Sequence, residues 1–479
     1  MFDYRGFAIS KLSRMAPRYL PFADAASQDL PLSRLLRLSL FQVTVGMALV
    51  LLAGTLNRVM IVELEVPASI VAIMLSLPLV FAPLRALIGF RSDIHRSALG
   101  WRRVPFIWKG TMLQFGGFAV MPFALLYLSG YADAAEAPRW IGYASAALAF
   151  LLVGAGVHMV QTVGLALATD LAPEEDQPKV VGLMYVMLLA GMIASAVIFG
   201  ALLENYTPGR LIQVIQGAAV VTIALNMVAL WKQEARNHKR ALSTATRPQF
   251  ANAWQTFIRG KHAMRMLFVI GFGTAGFGMA DVLLEPYGGQ ALGLSVAQTT
   301  KLTAVLAFGG LVGFMLASVW LGRGASAMRI ASFGTLTGVP AFAAIMLSSY
   351  GQTPLLFVLA TGVAGLGGGL FAHGTLTAAM RAAPREQIGL ALGAWGAVQA
   401  TAAGVAIAAA GVIRDVIVTW QAGRQAAAGS AFVTAVEAPY MPVFMLQIVL
   451  LVLAFAVAYP LARKNMKSLA GDYLHSTTR

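Results

Sequence analysis

Two histidines and a few charged residues lie within long apolar stretches of this sequence. His158 and His373 have the side chain for ligand chemistry, because neutral imidazole is a common metal ligand and suits the metal of a macrocycle. Each histidine precedes an Ala-Pro pair, and the two spacings differ by about four residues, one helical turn. We therefore expect both imidazoles to project from similar faces of equivalent helices. The alternative for each is a hydrogen bond between helices or a pore-lining position.

Four charged residues form a second candidate group. Arg58 and Glu63 lie near the end of the first apolar stretch, and Asp281 and Glu285 lie at the corresponding place in the seventh. An unpaired charge at membrane depth is costly, so opposite charges at matching positions predict an ion pair. We predict that Arg58 pairs with Asp281, with Glu285 or Glu63 as alternate acceptor, and that this pair between two halves closes the outer side of a central cavity. The alternative is that Arg58 and Glu63 are solvated separately.

Five amide side chains complete the polar candidates predicted at membrane depth. They are predicted to form hydrogen bonds between helices: Gln161, Gln213, Gln216, Asn226 and Gln399.

These side chains must be positioned by apolar helices. A bilayer core requires about 20 apolar residues per helix, and backbone polar groups in lipid must be satisfied internally. The sequence therefore predicts an all-α polytopic membrane protein with twelve transmembrane helices. The predicted spans are 38–62, 68–90, 106–130, 140–168, 180–202, 211–231, 264–285, 299–321, 327–349, 354–380, 387–413 and 438–461.

The spans divide into two halves of six helices that echo each other. His158 precedes Leu171-Ala172-Pro173, and His373 precedes Ala382-Ala383-Pro384. Two six-helix halves related as parallel repeats are the plan of the major facilitator fold. The predicted organisation is a cytoplasmic N-terminal arm (1–37), an N-terminal six-helix half (38–231), a cytoplasmic linker (232–263), a C-terminal six-helix half (264–461) and a cytoplasmic tail (462–479).

Charge gives the orientation. Most of the 35 Lys and Arg residues fall in segments on one side of the predicted spans, which the positive-inside rule places in the cytoplasm together with both termini. Arg139, Arg210, Lys301, Arg414 and Arg424 are assigned to outside loops. The net charge of +15 is this topology signal plus attraction to anionic lipid. Because the charge is spread over many loops, we expect no nucleic-acid partner.

Soluble-enzyme signatures are not found. The sequence has 0 cysteines, which excludes thiol catalysis and cysteine-ligated clusters. Gly271, Gly273 and Gly276 match a dinucleotide fingerprint on paper, but they lie inside an apolar span with no preceding strand. We expect no enzymatic activity, no catalytic residues and no bound nucleotide.

A short basic loop follows the second predicted span. It resembles the loop signature of the major facilitator superfamily, with the later glycine and basic pair displaced by a few residues. The matching positions are Gly89, Asp93, Arg96, Gly100, Arg102 and Arg103. We expect Asp93 and the arginines to hold the cytoplasmic ends of neighbouring helices together, since an acidic side chain is favoured at a helix N-terminus. An ordinary positive-inside loop is the alternative.

Five sequence segments make the resemblance more specific than the superfamily as a whole. They are Leu-Pro-Leu-Ser-Arg-Leu-Leu-Arg-Leu-Ser-Leu-Phe-Gln (30–42), Thr-Leu-Asn-Arg-Val-Met-Ile-Val-Glu (55–63), Arg-Ser-Asp-Ile-His-Arg-Ser-Ala-Leu-Gly-Trp-Arg-Arg-Val-Pro (91–105), Leu-Glu-Pro-Tyr-Gly-Gly (284–289) and Leu-Gly-Ala-Trp-Gly-Ala-Val-Gln-Ala (392–400). Together they resemble the PucC/LhaA family, the bacteriochlorophyll-delivery branch of the major facilitator superfamily in photosynthetic bacteria.

The resemblance implies a helper for assembling light-harvesting antenna complexes in a bacterial inner (intracytoplasmic) membrane. Its cargo would be bacteriochlorophyll or its precursor, and no metal is expected beyond the pigment magnesium, for which His158 and His373 are the candidate ligands. The implied partners are antenna polypeptides, chlorophyll-synthesis or protein-insertion machinery, and membrane lipid. The sequence leaves open whether the protein serves antenna 1 or antenna 2, and whether pigment is transported, delivered or chaperoned.

Two other functions remain open at this point. One is an ion-coupled secondary transporter of a small amphipathic solute, although few protonatable residues lie at mid-membrane. The other is a structural companion of antenna complexes without a ligand. A long-wavelength absorption band in the purified protein would indicate the pigment function, and uptake driven by an ion gradient would indicate transport.

Overall fold

Long helices satisfy their own backbone hydrogen bonds, and this requirement determines the architecture. The computed structural model describes residues 30–80, 88, 92, 101–130, 136, 138–173, 176–234, 263–382, 388–428 and 436–476. Within these residues the chain forms twelve helices. They are α1 (Leu32–Glu63), α2 (Ala68–Val80), α3 (Val104–Leu128), α4 (Arg139–Leu171), α5 (Gln177–Leu202), α6 (Pro208–Leu230), α7 (Ala263–Gly278 with Ala280–Leu292), α8 (Val296–Gly322), α9 (Ala327–Tyr350), α10 (Pro354–Ala382), α11 (Ile388–Ala428) and α12 (Met441–Ser476).

The predicted all-α polytopic fold is confirmed. In the described part of the chain, 11 helices are long and apolar enough to cross a membrane, and Ala68–Leu79 is a shorter apolar helix. The rest of the predicted second span, most of the N-terminal arm and linker residues 235–262 lie outside the described residues.

Several helices are longer than their apolar stretches. α1 begins at Leu32, inside the predicted arm, and α11 continues to Ala428 beyond the predicted end at 413. Arg414 and Arg424 therefore lie within α11 and not in a loop as predicted. The Arg424 guanidinium lies 4.6 Å from the centre of the Trp420 ring, one turn earlier. Side-chain pairing of this kind lets a helix continue past the end of its apolar sequence.

Two helices depart from regular α geometry. α1 contains wide π-helical turns at Val50–Leu56 and Val59–Glu63. α7 consists of Ala263–Gly278 and Ala280–Leu292, with Pro286 inside the second segment. Such π turns are rare and occur frequently at functional sites.

The chain divides into two compact units. The first contains Met1–Leu52 and Pro83–Ala245, and the second contains Ala53–Ala82 and Thr246–Arg479. The second half of α1 and the helix α2 therefore group with α7 to α12. This division differs from the predicted six-helix halves at residues 53–82.

In the first unit, glycines allow helices to approach closely. A Cβ on Gly156 of α4 would lie 2.5 Å from the Gly110 carbonyl oxygen of α3. Asn226 of α6 donates to Thr111 of α3 at 2.9 Å and accepts from Thr44 of α1 at 3.0 Å. The predicted role of Asn226 between helices is confirmed, and small residues with polar bonds are the usual means of packing in lipid.

In the second unit, α8 packs against α10 through glycines on both helices. A Cβ on Gly313 would overlap the backbone carbonyl of Leu366, and one on Gly365 would overlap that of Leu306. Elsewhere, Gly411 of α11 has the same role against the backbone of Ala68 in α2. Since apolar burial drives little helix association in lipid, this close contact is a main source of stability.

Adding one methyl group at Gly313 tests this packing. We expect Gly313→Ala to destabilise the protein by about 1–3 kcal/mol, because the neighbouring backbone cannot move aside like a flexible side chain. The matched control is Gly322→Ala at the end of the same helix, where an added Cβ meets nothing within 4 Å. Thermal unfolding in detergent measures both variants, and equal midpoints would contradict the proposed packing.

Candidate functional site

A buried polar cluster joins the second half of α1 to α7 and α8 within the second unit. Asn57 lies between the two wide turns of α1 and is fully buried. Its amide Nδ2 donates to the carbonyl of Val282 in α7 at 2.8 Å and to that of Ala53 at 3.1 Å. Pro286 has no amide hydrogen, so Val282, four residues earlier, loses its normal helical donor. Asn57 supplies the missing hydrogen bond.

Arg58 has partners at three places. Its Nη1 forms an ion pair with Glu63, and its Nη2 donates to the carbonyl of Leu294 at 3.0 Å. Its guanidinium lies against Gly289, where an added Cβ would come within 3.2 Å of Nε. The Arg58 side chain is 5% exposed whereas that of Glu63 is 36% exposed. The buried Arg58 guanidinium is thus neutralised by the partly exposed carboxylate of Glu63.

Glu285 is the deeper carboxyl group of the cluster. It is 5% exposed and accepts a hydrogen bond from Thr303 of α8. A Cβ on Gly54 of α1 would lie 2.7 Å from Glu285 Oε1, so a larger residue there would require the Glu285 carboxyl to shift. The other oxygen, Oε2, has no hydrogen-bond partner among the residues that the structure describes. A buried carboxyl with an open oxygen is suited to binding a proton or a cation.

The predicted pair of Arg58 with Asp281 is wrong in this structure. The observed acceptor is Glu63, the alternate, while the hydrogen bond to Glu285 comes from Thr303. Asp281 is exposed. Arg58 extends along α7 to Gly289, which lies roughly 12 Å further along the helix axis than Asp281. Both members of the observed ion pair lie on α1, so the pair alone does not join two helices.

A second polar network lies in the same unit and was missed from the sequence. Arg414 of α11 donates to its neighbour Asp415 at 2.8 Å and to Gln290 of α7 at 3.0 Å. Tyr440 donates to the same Gln290 oxygen at 2.5 Å. Asp415 accepts from the backbone N–H of Ser69 at 2.7 Å, in the first turn of α2. The adjacent opposite charges at 414 and 415 are the sequence signal that could have indicated it.

The two candidate histidines have different surroundings, one in each unit. His373 of α10 is 8% exposed, and its ring centre lies 4.0 Å from that of Phe314 in an edge-on contact. It is enclosed where α8 and α10 pack through glycine. His158 of α4 is half-buried. The His158 side chain is therefore the less enclosed of the two.

The loop signature is only partly within the described residues. Gly89, Asp93, Arg96 and Gly100 lie outside them. Arg102 and Arg103 bind Asp170 at the end of α4, at 2.6 and 3.0 Å. The carboxylate of Glu234, beyond α6, accepts the backbone N–H groups of Arg102, Arg103 and Val104. Asp170 and Glu234, which the sequence did not single out, thus join the start of α3 to the ends of α4 and α6.

Metal chemistry has no preformed protein site in the described part of the chain, where no group of three or more His, Asp or Glu residues could hold an ion. The polar clusters on α1, α7 and α11 can instead hold neighbouring helices in position. They can also bind a charged group.

Comparison with protein families identifies the group to which this arrangement belongs. The family described as PUCC protein matches residues 55–466, which include the Asn57, Arg58 and Glu285 cluster. The chain belongs to this PUCC family. The chain is 66% identical over 413 residues to Protein PucC of Rhodovulum sulfidophilum, covering 86% of this chain and 91% of that protein. It is 61% identical over 466 residues to Protein PucC of Rhodobacter capsulatus, covering 96% and 99%.

The PUCC chain also resembles solved transporter structures. A bacterial homologue of the human lysosomal transporter Spinster, in its inward-facing and unoccupied conformation, superposes with a TM-score of 0.64 at 15% identity. The match covers 91% of this chain and 97% of that structure. The chain therefore shares the fold of that transporter structure. The predicted multi-pass membrane protein and family assignment are confirmed.

Double-mutant cycles distinguish the observed ion pair from the predicted one. We expect Arg58→Ala and Glu63→Ala to couple by about 0.5–3 kcal/mol, because each removes the partner of the other. Arg58→Ala and Asp281→Ala should be additive within roughly 0.5 kcal/mol. Unfolding midpoints of the single and double variants in detergent give both values. Coupling to Asp281 without coupling to Glu63 would contradict the observed pairing.

Asn57 replaces the donor that Pro286 lacks, so Pro286→Ala should suppress the effect of losing the Asn57 amide. Asn57→Leu should cost about 1–3 kcal/mol, because the Val282 carbonyl then lacks a donor in an apolar environment. In a Pro286→Ala background the restored amide hydrogen can bond to that carbonyl, so the cost of Asn57→Leu should fall. Thermal unfolding of the four proteins tests this, and an equal cost in both backgrounds would rule it out.

Proposed function

We propose that this protein is an assembly factor for bacterial light-harvesting antenna complexes that binds or delivers bacteriochlorophyll, or its precursor, to antenna polypeptides in the membrane. The supporting observation is membership of the PUCC family over residues 55–466. The five sequence segments that resemble the PucC/LhaA family support the same proposal. The two Protein PucC relatives come from Rhodovulum sulfidophilum and Rhodobacter capsulatus.

The pigment part of the proposal concerns the histidines. A bacteriochlorophyll magnesium takes an axial ligand, and neutral imidazole is suitable. The half-buried His158 of α4 is the better candidate of the two, because the His373 ring is enclosed against Phe314. The role of the protein would be to hold the pigment out of water, and to keep it apart from other pigments until an antenna polypeptide accepts it.

The proposed setting is the bacterial inner (intracytoplasmic) membrane with both termini in the cytoplasm. The distribution of Lys and Arg along the sequence supports this orientation. In it, the contacts of Arg102 and Arg103 with Asp170 lie at the cytoplasmic ends of α3 and α4. Antenna polypeptides, together with chlorophyll-synthesis or protein-insertion machinery, are the proposed partners.

The second candidate is an ion-coupled transporter of a small amphipathic solute. Two observations favour it: the likeness to transporter folds, and the buried Glu285 with one open oxygen near Arg58. Uptake into vesicles driven by a proton or sodium gradient, and abolished by Glu285→Gln, would support this function.

The absorption spectrum of the protein purified from its native membrane tests the pigment proposal. We expect a long-wavelength band that His158→Leu removes while the protein stays folded, because leucine keeps the volume and removes the ligand. His373→Leu is the comparison at the enclosed position, and the double variant covers exchange between the two sites. Unchanged pigment in all three variants would eliminate both histidines as ligands, and a wild-type protein without pigment would count against the proposed cargo.

A further inference from the structure

A groove in the first unit lies where α3 begins and α6 ends. Its volume is about 860 Å³, within the roughly 300–1,000 Å³ of small-molecule sites. Three of the 8 tryptophans line it. The lining residues are Arg34, Trp101, Val104, Pro105, Trp108, Met227, Leu230, Trp231, Lys232, Gln233 and Glu234.

Most polar groups of this tryptophan groove are engaged in holding its walls together. Arg34 donates to the Gln233 side chain at 3.1 Å and to its backbone carbonyl at 2.8 Å. Both oxygens of Glu234 accept backbone N–H groups at the start of α3, from Arg103 and Val104 among others. The negative charge of Glu234 is therefore compensated by the N-terminal end of a helix.

Lys232 is different. Its side chain is exposed and has no hydrogen bond or ion pair with any residue in the described part of the chain. Its backbone has φ 54, the left-handed region that favours glycine, at a cost of about 1–2 kcal/mol for other residues. A lysine at this position therefore costs stability, and the turn directs a cation to the rim of the groove beside Trp231.

The walls of the groove continue into an apolar exposed surface. Trp231 is 62% exposed and Met227 is 50% exposed. Tryptophan is enriched at the membrane–water interface, where its ring lies at headgroup level. A molecule that occupies the groove would thus meet the Lys232 cation together with the apolar side chains of Met227 and Leu230.

We propose that the tryptophan groove binds an anionic phospholipid, with its phosphate against Lys232 and Arg34 and its acyl chains along Met227 and Leu230. Basic pockets between transmembrane helices on the cytoplasmic side recognise acidic headgroups in this way. The uncompensated cation favours an anionic lipid over a zwitterionic one. This inference does not depend on the proposed pigment function.

The test uses the full-length protein in nanodiscs of phosphatidylcholine with increasing phosphatidylglycerol. Native mass spectrometry measures the retained lipid, and quenching of tryptophan fluorescence by brominated phosphatidylglycerol reports its position. We expect selective retention of phosphatidylglycerol by the wild type and about fivefold weaker retention by Lys232→Gly, the loss of one interfacial cation. Lys232→Arg should keep the selectivity.

The stability of Lys232→Gly shows whether unfolding, rather than loss of the cation, causes weaker lipid retention. Glycine relieves the left-handed backbone, so Lys232→Gly should be at least as stable as wild type in pure phosphatidylcholine. The matched control is Glu65→Gly, another non-glycine residue with positive φ, which should leave phosphatidylglycerol retention unchanged. Equal retention by wild type and Lys232→Gly would overturn the proposal. Competition by soluble glycerol phosphate as effective as that by the lipid would also overturn it, since the site would then recognise a free anion.

Discussion

A peptide carbonyl that water cannot reach must find a donor inside the protein, and much of this structure follows from that requirement. It makes the spans helical, and it requires another donor where a helix loses one of its own. Pro286 removes one donor from α7, and Asn57 of α1 replaces it at 2.8 Å. The free N–H groups at the start of α3 are satisfied by Glu234. Residues far apart in the sequence are therefore linked, because buried backbone donors and acceptors need hydrogen-bond partners.

The fold could be predicted from the sequence because its signal is repeated and physical. Apolar length indicates each span, and the distribution of lysine and arginine indicates orientation. The ends of helices were less predictable. α1 starts earlier and α11 ends later than their apolar stretches, since Leu32–Leu38 and the residues after 413 can remain helical with polar side chains. Hydropathy reports membrane depth and not helix length.

The candidate site was predictable in membership but not in pairing. Arg58, Glu63 and Glu285 were recognised as charged residues in apolar surroundings, and all three belong to one cluster. Their connections depend on how far a side chain extends along a neighbouring helix. Arg58 reaches Gly289 and Leu294, and this direction is set by the wide turns of α1, which no periodic pattern reveals. The contacts of Asp170 and Glu234 were missed for a similar reason: carboxylates at helix ends look like ordinary loop charges until the ends are brought together.

The wide turns of α1 have a consequence for how this helix tolerates length changes. Each π turn accommodates about one residue more than an α turn. Deleting a single residue within Val50–Leu56 could therefore be absorbed by tightening the turn, with the flanking helix kept continuous. If the turn stayed wide instead, everything after it would rotate by about 100° relative to the preceding helix. Asn57 would then no longer face the Val282 carbonyl, so a deletion in α1 keeps this hydrogen bond only where a wide turn tightens in compensation.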